Sequence, residues 1–315
     1  MYLITGRNVN HNYIKAKALV GLHGVQADSR AGGVTVLNAP LMTVTENPTE
    51  RVLFDRKRDA NPFFHLMESI WIMAGRNDAT WLDQFVSDFS ARFAEEDGIE
   101  HGPYGHRLRR KFRVDQLTYV AGLLKKNPAD RRVVLQMWDS DSDLGADVKD
   151  APCNTHIYPR IVDGALDFTV CCRSNDMVWG CFGANVVHFS IMLEVMAAMI
   201  GVRVGKLYQL SNNFHVYHAS DHVHNTYQRF LYDDETVAPM PLVTDANYWL
   251  VDAEQFINHP FDSIYKNEWF NLVAAPMLWT HGLWKNGHKE EAYILCDSIC
   301  SSDWQHACMS WMERR

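Results

Sequence analysis

The sequence predicts a fold of mixed α and β structure, and three stretches carry that prediction. They are a strand–turn–strand unit around Asp163-Gly164, a helix over 63–75 that is apolar nearly all round, and a second apolar helix over 186–200. At 315 residues, 47% of them apolar and 22% charged, the chain is long enough and apolar enough for a substantial core. A net charge of −8 argues against broad nucleic-acid binding, which needs a basic footprint, while leaving room for a local basic pocket that takes a phosphate ester. The seven cysteines, at 153, 171, 172, 181, 296, 300 and 308, form no Cys-x-x-Cys pair and no disulfide framework, so a reducing cytoplasm is expected. The N-terminus carries no basic-then-apolar signal pattern, and no apolar run is expected to reach the ~20 residues that span a bilayer.

The elements follow in order. Residues 13–23 have the spacing of an amphipathic helix, and Asp28-Ser-Arg-Ala-Gly-Gly-Val-Thr-Val-Leu reads as a turn feeding a strand. Arg30 sits at that turn, either solvated or available to an anion. In the 63–75 helix, Phe63, Phe64, Leu66, Met67, Ile70, Trp71 and Met73 cover most of the circumference, so it is expected to be buried. Glu68 in its middle then either escapes to the surface or serves as a general acid/base whose charged form burial disfavours.

Gly102-Pro-Tyr-Gly-His-Arg reads as a loop, 115–126 as a helix, and 131–138 as a strand. The pair Arg131-Arg132 at that strand's entrance is either solvated or a fork for phosphate oxygens. Asp163-Gly164 is a two-residue hairpin signal; pairing 162 with 165 puts Cys153 across from Ser174 and Asn154 across from Arg173, unless Pro159 forces a bulge. Asn185 precedes the 186–200 helix, which Gly201 should cap. It is either that helix's N-cap or an amide that recognises a base.

His215 and Tyr217 share a face if their stretch is extended. The four histidines 215, 218, 222 and 224 invite a metal reading, but the zinc-protease pattern needs Glu after the first histidine of the pair His218/His222, and Ala219 stands there. The segment 270–315 reads as two or three Trp- and Met-rich helices broken at Gly287 and at Ser301-Ser-Asp, forming core or a partner surface.

The ordered set of motifs resembles the thymidylate synthase and deoxycytidylate hydroxymethylase superfamily. The matching pieces are Glu68-x-x-Trp71 with Gly75, Gly102-Pro-x-Gly with Tyr104, Arg131-Arg132, Pro152-Cys153, Arg173-Ser-Asn-Asp176 with Gly180, Asn185, and His215-x-Tyr217. The resemblance covers roughly 15–225. It implies an α/β (α+β) fold with a large mixed sheet packed against its twin in a homodimer. A catalytic core over 1–235 and a helical extension over 236–315 follow from where it ends.

It also implies roles. Cys153 would attack carbon 6 of a pyrimidine nucleoside monophosphate, with a nearby guanidinium favouring the thiolate. Arg30, Arg173 and Ser174 would hold the phosphate, with Arg131 and Arg132 supplied across the dimer. Glu68 and Tyr104 would join Cys153 in the chemistry, and Asp176 would bind the pterin of 5,10-methylenetetrahydrofolate. His215 and Tyr217 would hold the sugar hydroxyl, while Asn185, Asn154 and His188 would face the base.

Three departures lean towards water rather than hydride as the final reactant, giving a hydroxymethyl product. Asn154 follows the cysteine where thymidylate synthases have histidine. The synthase tail that closes over the site is replaced by Met-Ser-Trp-Met-Glu-Arg-Arg. The Arg173 motif is nearer to the hydroxymethylases. These place cytidylate ahead of deoxyuridylate as substrate, followed by a methylating enzyme and then an idle nucleotide-binding homologue. No nucleic-acid or membrane partner is expected.

Overall fold

The computed structural model describes residues 1–223, 230–260 and 264–315. The chain forms two compact units, neither continuous in sequence: one takes 1–60, 117–139 and 153–230, the other 61–116, 140–152 and 231–315.

The first unit is built on an eight-stranded mixed sheet in the order β1-β4-β8-β7-β6-β5. Its strands are β1 (Tyr2–Gly6), β2 (Gly24–Ser29), β3 (Gly32–Leu37), β4 (Leu41–Thr45), β5 (Leu135–Gln136), β6 (Asn154–Val162), β7 (Ala165–Asp176) and β8 (Arg203–Tyr217). β1 with β4 and β7 with β8 are parallel, and the other pairs are antiparallel, including the β2–β3 hairpin beside β8. The strand expected over 131–138 shortens to β5, an edge strand paired with β6 alone.

Helix Val9–His23 is capped by Asn8, whose side chain accepts from the backbone N–H of Asn10 and His11. Helix Asn185–Ile200 packs on β7 and β8 and ends at Gly201. It follows a wider helical turn, Met177–Ala184, across a kink at Gly183 (φ −104°, ψ −107°), and the two together span 24 residues. That is longer than the sequence suggested, and by length and hydropathy enough to cross a bilayer. Most of it is buried, as in a core helix.

The second unit is helical. Helix Pro62–Met73 starts from Asn61, whose side chain accepts from Phe64 N–H, with Pro62 in the first turn. Every residue in it except Glu68 is buried, and each large apolar side chain so enclosed contributes about 1.5–3 kcal/mol. Within the unit it meets helices Trp249–Asn258, Ala275–Lys285 and Ser302–Glu313. Phe63 lies 5.0 Å from the His281 ring and 5.3 Å, edge-on, from Trp311. The loop expected at 102–107 is instead the start of a helical stretch, Tyr104–His106 running into Arg107–Lys111, anchored by fully buried Arg107 paired with Asp143. The Trp-rich C-terminal helices are core: Trp249, Trp269, Trp304 and Trp311 are all buried.

Candidate active site

The β6–β7 hairpin turns at Asp163 and Gly164, with φ of 51° and 72°. This is the left-handed pair that a two-residue turn needs, and glycine adopts it without steric cost. From Val162↔Ala165 to His156↔Cys171 the register is the expected one, and Pro159 sits in it without a bulge. The irregularity falls at Thr155, so Asn154 pairs with Cys172. Cys153 therefore lies across from Arg173, whose N–H donates to Cys153 O at 2.9 Å, and not across from Ser174.

The cause is visible at β5. Thr155 O accepts from both Met137 and Trp138 N–H, at 2.9 and 3.0 Å, and its hydroxyl donates to Cys171 O. These bonds hold Thr155 as the extra residue of a bulge. Ser174 pairs instead with Asn213 of β8. The Arg173 guanidinium is exposed and stands over the Trp138 ring at 5.9 Å.

At the end of β7 the Asp176 side chain accepts from Trp179 N–H and so caps the helical run that begins at Met177. Asn185, eight residues further on than Met177, has helical dihedrals (φ −60°, ψ −42°) and is not an N-cap. Its amide is thereby released for other partners. Asn154 Nδ2 donates to Asn185 Oδ1 at 3.1 Å, Asn185 Nδ2 donates to Asn175 Oδ1 at 3.1 Å, and Asn175 Nδ2 donates to Ser211 Oγ at 2.9 Å. All four side chains are buried. A Cβ on Gly180 would stand 2.7 Å from Asn175 Oδ1, so glycine there permits the approach.

The same end of the sheet collects the charged groups. Asp176 pairs with His215 in the β7–β8 register, and His215 with Val36 of β3. His215 and Tyr217 share a face, their rings 5.1 Å apart and perpendicular. Burial raises the Asp176 pKa, opposed by the Trp179 N–H, His215, the Val178 N–H and Arg58. Burial likewise raises the Tyr217 phenol, with Asp176 and Cys153 adding to the shift and Arg30 opposing it. Those influences place Arg30, at the exposed β2–β3 turn, and Cys153 in the electrostatic reach of Tyr217.

Asp176 fits a pterin ligand. Among the described residues its buried Oδ1 meets no hydrogen-bond partner, which leaves an acceptor for a ring N–H. Trp179, 59% exposed, lies next to it with Arg58 over its ring.

Other expected residues lie elsewhere. Arg131 and Arg132 are exposed, and Arg132 forks onto Asp130, holding that carboxyl down to about 2. His188 is buried on the Asn185–Ile200 helix. Glu68 and Tyr104 belong to the helical unit. There Glu68 is half-buried and adds to a field, with Asp150 and Asp78, that joins burial in raising Glu100 to about 9. His222 and His224 fall outside the residues whose side chains are described. Sequence reasoning missed Asn175, Ser211, Arg58 and Glu100. Asn175 stood inside the Arg173 motif, whereas Ser211 carried no signal beyond being a small polar residue in an extended stretch.

The thymidylate synthase family model matches residues 12–255. The chain is 40% identical to a deoxyuridylate hydroxymethyltransferase of Pseudomonas phage M6, over 100% of this chain and 95% of that protein. It is 31% identical to a deoxyuridylate hydroxymethyltransferase of Bacillus phage SP01, over 88% of this chain and 76% of the relative. A thymidylate synthase of Bacillus phage phi3T is 29% identical over 62% of this chain and 71% of its own length. The chain therefore belongs to the thymidylate synthase family, transferases of pyrimidine nucleotides that take their one-carbon unit from methylenetetrahydrofolate.

Proposed function

We propose that this enzyme hydroxymethylates carbon 5 of deoxyuridine 5′-monophosphate. The observation that carries the reading is the extent of the likeness to the phage M6 protein. It runs through the whole chain, including the C-terminal helices that lie beyond the family model's end at 255. That likeness supports deoxyuridylate over cytidylate, the reverse of the order that the Arg173 motif suggests.

In this reading the Cys153 thiolate bonds to carbon 6 and the C5–C6 π electrons make carbon 5 nucleophilic. Bound folate supplies the one-carbon unit. After carbon 5 has taken up that unit and lost its proton, water adds to the new exocyclic carbon and the Cys153–carbon 6 bond breaks, returning the thiolate. Arg30, Arg173 and Ser174 bind the phosphate; Arg131 and Arg132 of a homodimer partner complete that grip. Asn185 reads the base, flanked by Asn154 and His188, and His215 with Tyr217 holds the 3′-hydroxyl. Asp176 accepts from the pterin, while Glu68 and Tyr104 are assigned to proton transfer by the family resemblance.

Mass spectrometry of the product formed from deoxyuridylate and methylenetetrahydrofolate tests the reading. A gain of a hydroxymethyl group with tetrahydrofolate released is expected. A methyl product with dihydrofolate would overturn it. Hydroxymethylation of cytidylate is the second reading, favoured by the Arg173-Ser-Asn-Asp176 motif, and the same assay with both nucleotides separates the two.

A further inference from the structure

We infer that Asn154, Asn175 and Ser211 form a hydrogen-bond relay that sets which way the Asn185 amide faces, and so which pyrimidine the site accepts. The inference deepens the proposed function and rests on it for the role of Asn185 as the base reader. The relay crosses the sheet: Asn154 opens β6, Asn175 is near the end of β7, Ser211 lies on β8, and Asn185 opens the helix packed on β7 and β8. As built it has one direction, each amide nitrogen donating to the next residue's oxygen.

That direction matters because uracil and cytosine present opposite edges. Uracil offers a donor at N3 and an acceptor at carbon 4, whereas cytosine offers an acceptor at N3 and a donor at carbon 4. A carboxamide meets one edge or the other depending on which of its atoms faces N3. Alone, Asn185 could flip and accept both bases. Tied between two buried amides it cannot flip without reversing both neighbours. The far end permits that reversal in concert, since the Ser211 hydroxyl donates as readily as it accepts. The nearby Cys181 thiol, its pKa raised by burial, has Thr43 and Asn175 as polar neighbours and is only a weak competitor. The site thus has two self-consistent polarities, and a neighbour of Asn185 that can only accept selects one of them.

Isosteric carboxylates at opposite ends separate this from any plain structural role. In Asn175→Asp the new group only accepts, so it holds Asn185 Nδ2 where it now points. In Asn154→Asp the new group also only accepts, and draws Asn185 Nδ2 the other way. The added negative charge is the same in both, so a charge effect on the nucleotide would move both variants alike. The measurement is calorimetric binding of deoxyuridylate and deoxycytidylate to the full chain at about pH 8, where free aspartate is ionised and uracil keeps its N3 proton, with thermal melting to confirm folding.

The expected result is an opposite shift of the two-nucleotide affinity ratio, about tenfold towards cytosine in Asn154→Asp and unchanged or further towards uracil in Asn175→Asp. Shifts in the same direction, or none in either folded variant, overturn the relay. If an Asp variant does not fold, Asn154→Ala serves: it removes the donor to Asn185 Oδ1, the ratio is expected to fall towards unity, and an unchanged ratio overturns the inference. A wild-type preference for deoxycytidylate would sink the proposed substrate, yet leave the relay standing if the two Asp variants still diverge.

Discussion

The sheet unit and the helical unit bury different chemistry. The first encloses amides and hydroxyls, among them Asn10, Asn12, Asn154, Asn175, Asn185 and Ser211, many bonded to partners distant in sequence. The second encloses tryptophans beside a few bonded carboxylates such as Asp143 with Arg107 and Asp252 with Asn267, and the indole N–H groups of Trp269 and Trp311 meet no hydrogen-bond partner among the described residues. A buried amide left unpaired costs about 1–3 kcal/mol, so amides in a core impose direction as well as contact. Tryptophan contributes apolar area whatever its orientation, and its gain exceeds the loss of one N–H bond. The sheet unit is built to discriminate, and the helical unit to hold together.

Variants in the two units should therefore fail in different ways. The largest effect is expected from Cys153→Ala, which should abolish turnover while nucleotide binding stays measurable. Release of tritium from carbon-5-labelled nucleotide is the readout, and retained release would remove Cys153 as the nucleophile. Next in size is Trp311→Ala. Its ring is packed edge-on to Phe63 and lies under Arg315 at 4.1 Å, and its loss should cost about 3–5 kcal/mol in denaturant unfolding. The folded fraction should keep the wild-type ratio of uracil to cytosine nucleotide affinity; a changed ratio would blur the division between the units.

The smallest effect is a pH dependence. Glu100 is held up at about 9 by burial first, then by Asp150, Glu68 and Asp78. A carboxyl raised on folding supports the fold fully below its ordinary value near 4.5, and that support is lost as pH rises towards 9. Glu100→Gln should match the wild type in melting temperature near pH 4 and exceed it by about 1–3 kcal/mol of stability at pH 8. Equal stabilities at both pH values would show that Glu100 is not a burden on the helical unit.

Some of this was legible along the chain. The 63–75 helix showed in its apolar spacing, and its buried circumference followed from having almost no polar stripe. The hairpin showed in Asp163-Gly164, because few dipeptides tolerate two left-handed residues. Arithmetic from that turn reached the neighbourhood of Cys153 and then missed by one residue. Thr155 is drawn out of register by Met137 and Trp138, just past β5, whose bonds to it no local pattern in β6 reveals. The 131–138 strand was overestimated for a related reason: a β-branched and apolar run predicts extension, but an edge strand keeps only as much ladder as its single neighbour offers.

By itself the sequence determined the local conformations and the inventory of chemistry: a cysteine before a hairpin strand, an Arg-Ser-Asn-Asp run, an asparagine at a helix. It could not decide what that asparagine does. Two local readings were open, and the side-chain cap lies at Asp176, on the turn Met177–Ala184 that precedes the helix across a kink at Gly183, further back than any pattern around position 185 indicates. The bonds that orient the Asn185 amide join residues 31 and 10 positions apart, and the relay's last link spans 36. Such bonds exist only after three strands and a helix have packed. Tertiary structure alone therefore sets the direction of a group that is symmetric in shape and opposite in hydrogen-bonding sense.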